Sequence, residues 1–210
     1  MNVKTENLFK LLNNKGVLKQ KVYENTLESF KLFKQEVLKL TEEYAANAKL
    51  DKVIFDFKEI IISILLFIIV AVMEEVLFRG YILKNLMISF NKYIALIVSS
   101  ILFALIHGFN PNINLFSLTN IFLAGILLGI SYIHTENLWF PIALHLSWNL
   151  FQTIFGFNVS GQKAYSLIEI SITEKNIING GDFGFEGSIL SVIAMLVTIV
   201  GIEIYYRRQK

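Results

Sequence analysis

The sequence has no cysteine, only two prolines among 210 residues, and a low proportion of charged residues, 17%. Without cysteine there can be no disulfide scaffold, no cysteine-based zinc or iron–sulfur site, and no cysteine nucleophile. The charged fraction is below the ~25% of soluble domains, and the hydrophobic fraction of 54% is above their usual value. A net charge of +2 gives no indication of a nucleic-acid partner. The composition therefore favours a membrane protein rich in apolar helices over a soluble enzyme.

Charge is concentrated in the first 58 residues, which hold 11 of the 19 basic and 8 of the 17 acidic side chains. This predicts a polar, largely helical N-terminal arm over residues 1–58 and a membrane domain over 59–210. Lysines interrupt the first residues too often for a signal peptide. Within the arm, apolar residues recur at steps of three and four and predict an amphipathic helix over 22–48: Tyr23, Leu27, Phe30, Phe33, Val37, Leu40 and Tyr44. Such a helix lies on lipid or on the rest of the protein, or forms a short coiled coil with a partner.

Five apolar segments follow the arm, and each approaches the roughly 20 residues that a spanning helix needs. They cover residues 54–73, continuing as helix toward 86, then 93–108, 115–133, 138–157 and 187–206. Polar breaks separate them, and a long loop rich in Ser, Asn and Gly covers 158–186. Gly125 and Gly129 form a GxxxG pattern, which indicates close helix packing. The predicted fold is an all-α transmembrane bundle of about five spans.

A few ionisable residues interrupt these apolar segments, where each costs several kcal/mol and marks a functional site by default. Glu75 and Arg79 are one helical turn apart and can pair, which leaves Glu74 without an obvious partner. Glu74 and His107 lie about equally far along the chain from the turn at Phe90–Asn91, so an antiparallel hairpin would bring them to one depth. By the same count His145 lies nearer the end of its helix, and tilt would be needed to bring it level.

The remaining polar residues are of two kinds. His145 and Asn149 are four residues apart and share one helix face. His134 and Glu203 lie near helix ends, where ionisable side chains are ordinary.

Three motifs in chain order carry a family resemblance: Glu74-Glu75-x-x-x-Arg79, Phe103-x-x-x-His107 and His145-x-x-x-Asn149. Together, inside apolar helices, they resemble the CPBP or Abi family, the intramembrane endopeptidases that process CAAX proteins and bacteriocins. The resemblance covers about residues 60–157. Members of that family usually carry further spans before the double-glutamate helix, where this chain has its polar arm.

The resemblance implies a role for each motif residue. Glu74 would be the general base that activates water, and His107 would orient that water. His145 and Asn149 would donate hydrogen bonds to the oxyanion, and Glu75 with Arg79 would hold the first helix in place. Peptide hydrolysis requires such a base, a positioned water and donors aimed at the developing charge.

Three alternatives remain beside this mechanism, one of which is a small transporter subunit with an intramembrane proton relay. Glu74, His107 and His145 could instead bind Zn²⁺, although a metal-free, glutamate-dependent reaction is favoured and no other cofactor is expected. The protein could also be a non-catalytic bacteriocin-immunity or interaction factor of the same fold. In either case the predicted partners are the lipid bilayer and a peptide or membrane protein, with no nucleic acid. The predicted location is a bacterial cytoplasmic membrane, where leader peptides or membrane-protein fragments are the expected substrates.

Overall fold

The computed structural model describes residues 50–53, 55–170 and 175–208, together with eleven positions between 17 and 35. The chain divides into two compact units, Met1–Lys49 and Leu50–Lys210. The described positions of the first unit are helical, and Tyr23 and Leu27 of the predicted apolar stripe are exposed. The other five stripe residues, from Phe30 to Tyr44, lie outside the described residues.

The first membrane helix is one continuous rod over Phe57–Ser89. It consists of α1 (Phe57–Glu75), a π-helical segment (Val76–Leu83) and α2 (Lys84–Ser89). Asp56 caps its start, with its carboxylate accepting hydrogen bonds from the backbone N–H groups of Lys58 and Glu59. The predicted continuation beyond residue 73 is confirmed. The π-helix was not predicted, although such segments often occur at functional sites.

Four further helices complete the bundle: α3 (Lys92–His107), α4 (Leu115–Thr135), α5 (Trp139–Ile154) and α6 (Ile189–Arg207). Three helices of the described residues, Phe57–Ser89, α4 and α6, are long and apolar enough to cross a membrane. The other two, α3 and α5, have 16 residues each. The predicted helical membrane bundle is confirmed, and its apolar helices point to an integral membrane protein.

Helix α4 lies at the centre of this unit, with buried residues along most of its length. Gly125 brings α4 against α3, because a Cβ there would lie 2.9 Å from the Cβ of Ser100. A Cβ at Gly129 would overlap the side chain of Leu96, which also lies on α3. The two glycines therefore act in helix packing, as predicted from their spacing.

The segment between α5 and α6, which is predicted to be a long loop, contains regular structure. Strand β1 (Leu50–Val53) pairs antiparallel with β2 (Ile168–Ile170). Two short 3-10 helices, Gly181–Phe183 and Phe185–Gly187, precede α6. Phe183 is 1% exposed and packs in a core cluster with Phe78 and Phe103. The segment is therefore part of the packed bundle.

Candidate active site

The double glutamate lies at the end of α1, and its two carboxylates face different surroundings. Glu75 is fully buried and accepts a hydrogen bond from Arg79 Nη1 at 2.9 Å. Arg79 also donates through Nη2 to the backbone oxygen of Gly125 at 3.1 Å, and its guanidinium lies 4.6 Å from the centre of the Phe103 ring. The pair thus ties the first helix to α3 and α4.

His145 on α5 joins this buried pair. Its Nδ1 lies 2.8 Å from Glu75 Oε1, the oxygen that also accepts from Arg79. A carboxylate paired with a guanidinium is ionised and can only accept, so Nδ1 carries the proton of this hydrogen bond. The position of the His145 ring is therefore fixed by Glu75, a contact that the sequence spacing of the two residues did not predict.

Glu74 lies between two imidazoles without bonding to either. Its Oε2 is 3.8 Å from His107 Nε2 and 3.9 Å from His145 Nε2. Both distances exceed the 2.7–3.2 Å of a direct hydrogen bond. This geometry agrees with the expectation that Glu74 and His107 lie at one depth in the bundle. His145 lies at the same depth, although residue counting placed it nearer the end of its helix.

The tautomer of His107 follows from the contact of Nδ1, the ring nitrogen that faces away from Glu74. Nδ1 lies 2.8 Å from the backbone oxygen of Phe103, and a carbonyl oxygen can only accept. Nδ1 therefore carries hydrogen, and the neutral ring presents a lone pair at Nε2. The same holds for neutral His145. Three acceptors therefore lie together, because both Nε2 atoms are within 4 Å of Glu74 Oε2.

Convergent acceptors need a donor among them, because Glu74 Oε2 is buried and has no hydrogen-bond partner in the described part of the chain. A water molecule has two hydrogens to donate and the size to bridge separations of this length. The arrangement can therefore bind and polarise a water whose lone pairs face away from the carboxylate.

An open cleft of about 280 Å³ adjoins these groups. Asn149, which is 3% exposed, lines it together with Glu74, His107 and His145. Its opposite walls come from α1 and from residues 159–164 of the segment before α6. The structure thus brings four of the predicted site residues to one cleft. Ser160, Gln162 and Lys163, which also line the cleft, were not identified from the sequence, since nothing in a polar loop marks such residues.

Metal binding was predicted as an alternative for Glu74, His107 and His145. Among the described residues, no group of three or more His, Cys, Asp or Glu side chains is arranged so that it could hold a metal ion. The zinc alternative for these three residues can be tested by measuring cleavage with and without a chelator.

The fold and the cleft together define a helical membrane protein whose buried carboxylate and imidazoles can activate water. Residues 56–151 match the family model described as Rce1-like type II CAAX prenyl endopeptidase. The predicted resemblance to CAAX-processing endopeptidases is thereby confirmed over this segment, and it supports a CAAX-type protease. No curated protein and no solved structure matches the chain.

Proposed function

We propose that the protein is an intramembrane endopeptidase that hydrolyses a peptide bond in a membrane-associated peptide or protein. The observation that carries this proposal is the convergence of Glu74 Oε2 with the Nε2 atoms of His107 and His145 around a space of water size. These atoms line an open cleft, from which a peptide carbonyl could reach the bound water. The family match over residues 56–151 supports the same reaction.

In the proposed reaction, Glu74 acts as general base. A water donates one hydrogen to Glu74 Oε2 and the other to His107 Nε2, and its oxygen attacks the peptide carbonyl. The new carbon–oxygen bond forms as the proton passes to Glu74. The protonated Glu74 then gives this proton to the leaving nitrogen as the carbon–nitrogen bond breaks. Water is consumed, and a carboxylic acid and an amine are the products; the acid then passes its remaining proton to the amine or to solvent.

Charge develops on the carbonyl oxygen during this attack, and the proposal assigns its stabilisation to Asn149 and His145. The Asn149 amide can donate directly. Neutral His145 cannot donate through Nε2, because its proton is on Nδ1 toward Glu75. Its role at the oxyanion therefore requires the doubly protonated ring. This adds a condition to the sequence-based prediction that His145 donates a hydrogen bond to the oxyanion.

The test is cleavage of a peptide library by purified protein in liposomes, read by mass spectrometry. The library contains prenylated CAAX peptides together with unmodified leader-like peptides, so that it also tests whether the substrate carries a prenyl group. Glu74→Ala and His107→Ala are expected to abolish cleavage. His134→Ala is the matched control, because His134 lies outside the cleft and should be dispensable.

Each reaction is run with and without a chelator. Cleavage that is indifferent to the chelator supports the glutamate mechanism. If the chelator abolishes cleavage and added Zn²⁺ restores it, the metal-dependent mechanism replaces the glutamate mechanism. If the folded wild-type protein cleaves no peptide, and Glu74→Ala retains the cellular effect of the wild type, then the non-catalytic immunity or interaction factor takes its place.

A further inference from the structure

A tight turn over residues 159–162 forms part of the wall of the cleft. Val159 and Gln162 exchange two backbone hydrogen bonds, of 3.0 and 2.9 Å, so the loop between them is Ser160 and Gly161. Both of these residues have positive φ, 48° and 80°, as in a type I′ β-turn. Glycine adopts this conformation freely, whereas serine rarely does. Ser160 is therefore strained, and strained residues that the fold holds in place are concentrated at functional sites.

A buried carboxylate, which was not predicted from the sequence, holds Ser160 in this conformation. Glu186 is 6% exposed, and its Oε2 accepts from the Ser160 backbone N–H at 2.9 Å and from the Ser160 hydroxyl at 2.7 Å. Its Oε1 accepts from Gln152 Nε2 on α5 at 3.2 Å. Gln152 follows His145 by seven residues, which is about two helical turns, so both lie on one face of α5. The carboxylate thus fixes the turn relative to the helix that carries His145.

The other loop residue of the turn is anchored to two neighbouring segments. The Gly161 N–H donates to the backbone oxygen of Phe183 at 2.9 Å, and the Gly161 oxygen accepts from Asn112 Nδ2 at 3.2 Å. A Cβ at Gly161 would overlap the backbone oxygen of Pro111, so this close approach requires glycine. The 159–162 turn is therefore held from several sides and is preorganised.

One side chain of this anchored turn is free to contact a ligand in the cleft. Gln162 is exposed and lines the same cleft as Glu74, His107 and His145. Its side-chain amide makes no hydrogen bond within the described part of the chain. A primary amide has an oxygen that accepts and a nitrogen that donates, so it complements the N–H and C=O groups of a peptide main chain.

We infer that the 159–162 turn binds the main chain of the substrate peptide through Gln162, and that Glu186 is the positioning residue that holds the turn. The inference rests on the proposed function, because it takes the peptide hydrolysed at Glu74 as the occupant of the cleft. A preorganised wall does not have to be ordered when the peptide binds, which favours affinity. Peptides of different sequence should share this contact, because every peptide has the same main chain.

Binding can be measured without cleavage in the Glu74→Gln background. The probes are fluorescein-labelled prenylated CAAX peptides and unmodified leader-like peptides. Their Kd for the protein in lipid nanodiscs is read by fluorescence polarisation, with empty nanodiscs as the blank. Gln162→Ala should raise Kd about 2- to 10-fold for both kinds of peptide, as expected for one lost hydrogen bond. Glu186→Ala should raise it by at least as much.

A double-mutant cycle tests whether Glu186 acts through the turn. If it does, Glu186→Ala/Gln162→Ala should bind no more weakly than Glu186→Ala alone. Glu186→Gln should retain binding, because its oxygen can accept from Ser160 while its amide donates to Gln152 Oε1, which is buried without a partner among the described residues. Asp182→Ala is the matched control and should also retain binding, since it removes an exposed carboxylate of the same segment.

A second variant tests the positioning role even if Glu186→Ala does not fold. In Glu186→Ala/Ser160→Gly, glycine adopts the positive φ of the turn without help from the carboxylate. Folding and peptide binding should therefore be restored to within about threefold of the parent protein. A folded Glu186→Ala/Ser160→Gly protein that binds as weakly as Gln162→Ala, or one that does not fold, would contradict a role limited to holding the turn.

The remaining outcomes separate this inference from the proposed function. Binding of no probe, binding unchanged by Gln162→Ala, an effect confined to one kind of peptide, or additive effects of the two substitutions overturns the inference. In the cleaving protein, Gln162→Ala should raise KM at nearly constant kcat, and a fall in kcat alone would overturn the inference as well. Binding that depends on Gln162, in a wild-type protein that cleaves no peptide, would support the turn and reject the protease.

Discussion

Two clusters of ionisable side chains lie on the membrane helices, and they differ in how completely their polar atoms are paired. In the first, Glu74 Oε2 and Glu75 Oε2 are buried without a hydrogen-bond partner among the described residues. In the second, at the ends of α4 and α6, both oxygens of Glu203 are engaged. An unpaired buried acceptor costs free energy and therefore needs an explanation, whereas a fully paired acceptor needs none.

The second cluster is held by contacts from three helices. His134 Nε2 lies 2.7 Å from Glu203 Oε2, and Arg207 Nε donates to Glu203 Oε1 at 2.9 Å. The Tyr93 hydroxyl donates to the same Oε1 at 3.3 Å, and the His134 ring stacks on Tyr206. Arg207 is largely exposed. This cluster therefore joins helix ends. In the first cluster, Glu75 is held by Arg79 and His145, whereas Glu74 Oε2 is unpaired and Glu74 lines the cleft. An unpaired carboxylate on a cleft thus indicates chemistry better than the presence of charge in a span.

The largest expected effect in this comparison is on the reaction. Glu74→Gln keeps the shape of the side chain but removes the base, so the cleavage rate should fall by about 10²–10⁴-fold. Thermal unfolding in detergent should be unchanged, because Oε2 makes no hydrogen bond in the described structure that the variant could lose. Glu203→Gln is the matched control. Cleavage by Glu74→Gln at the wild-type rate would remove Glu74 from the mechanism.

Breaking the buried pair should instead destabilise the fold. Arg79→Leu leaves the fully buried Glu75 without its guanidinium, a change that typically costs about 3–5 kcal/mol. The free energy of unfolding, measured by denaturant titration in detergent, should fall accordingly.

The double variant Glu75→Leu/Arg79→Leu tests the cause, because it removes both charges. It should recover much of the lost stability. A fully stable but inactive Arg79→Leu protein would contradict a structural role and place the guanidinium in the reaction.

An intermediate effect is expected at Asn149. Removing one donor to an oxyanion usually lowers kcat by about 10²–10³-fold, and Asn149→Ala should do so with little change in KM. Steady-state cleavage of a library peptide separates the two constants. An increase in KM at constant kcat would mean that Asn149 binds the substrate and does not stabilise the transition state.

Much of the bundle could be predicted because long apolar runs and polar breaks mark helices directly. The break at Asn91 is a helix cap, its side chain accepting from the Tyr93 backbone N–H at 2.9 Å. The shared depth of Glu74 and His107 followed from counting residues about the same turn. These features depend on local sequence and on one hairpin, where spacing along the chain determines distance.

Contacts made across several helices could not be predicted in this way. The hydrogen bond between His145 and Glu75 joins residues 70 positions apart, and it depends on how α5 packs against α1. The burial of Glu186 is similar, since a glutamate in a polar loop is usually solvated. Only the fold brings Ser160 and Gln152 to its carboxylate.

The second cluster should be the less sensitive of the two to substitution. Glu203→Gln keeps an oxygen that can accept from Arg207 and Tyr93 and gains an amide that can donate to His134 Nε2, so the hydrogen bonds of the cluster can be retained. The charge that it removes faces the exposed Arg207, and such pairs contribute less than about 1 kcal/mol. Stability should therefore change little and the cleavage rate not at all, measured beside Glu74→Gln in the same liposomes. If Glu203→Gln remained folded but lost cleavage, complete pairing would no longer distinguish a structural cluster from a reactive one. The active site would then include residues of the second cluster.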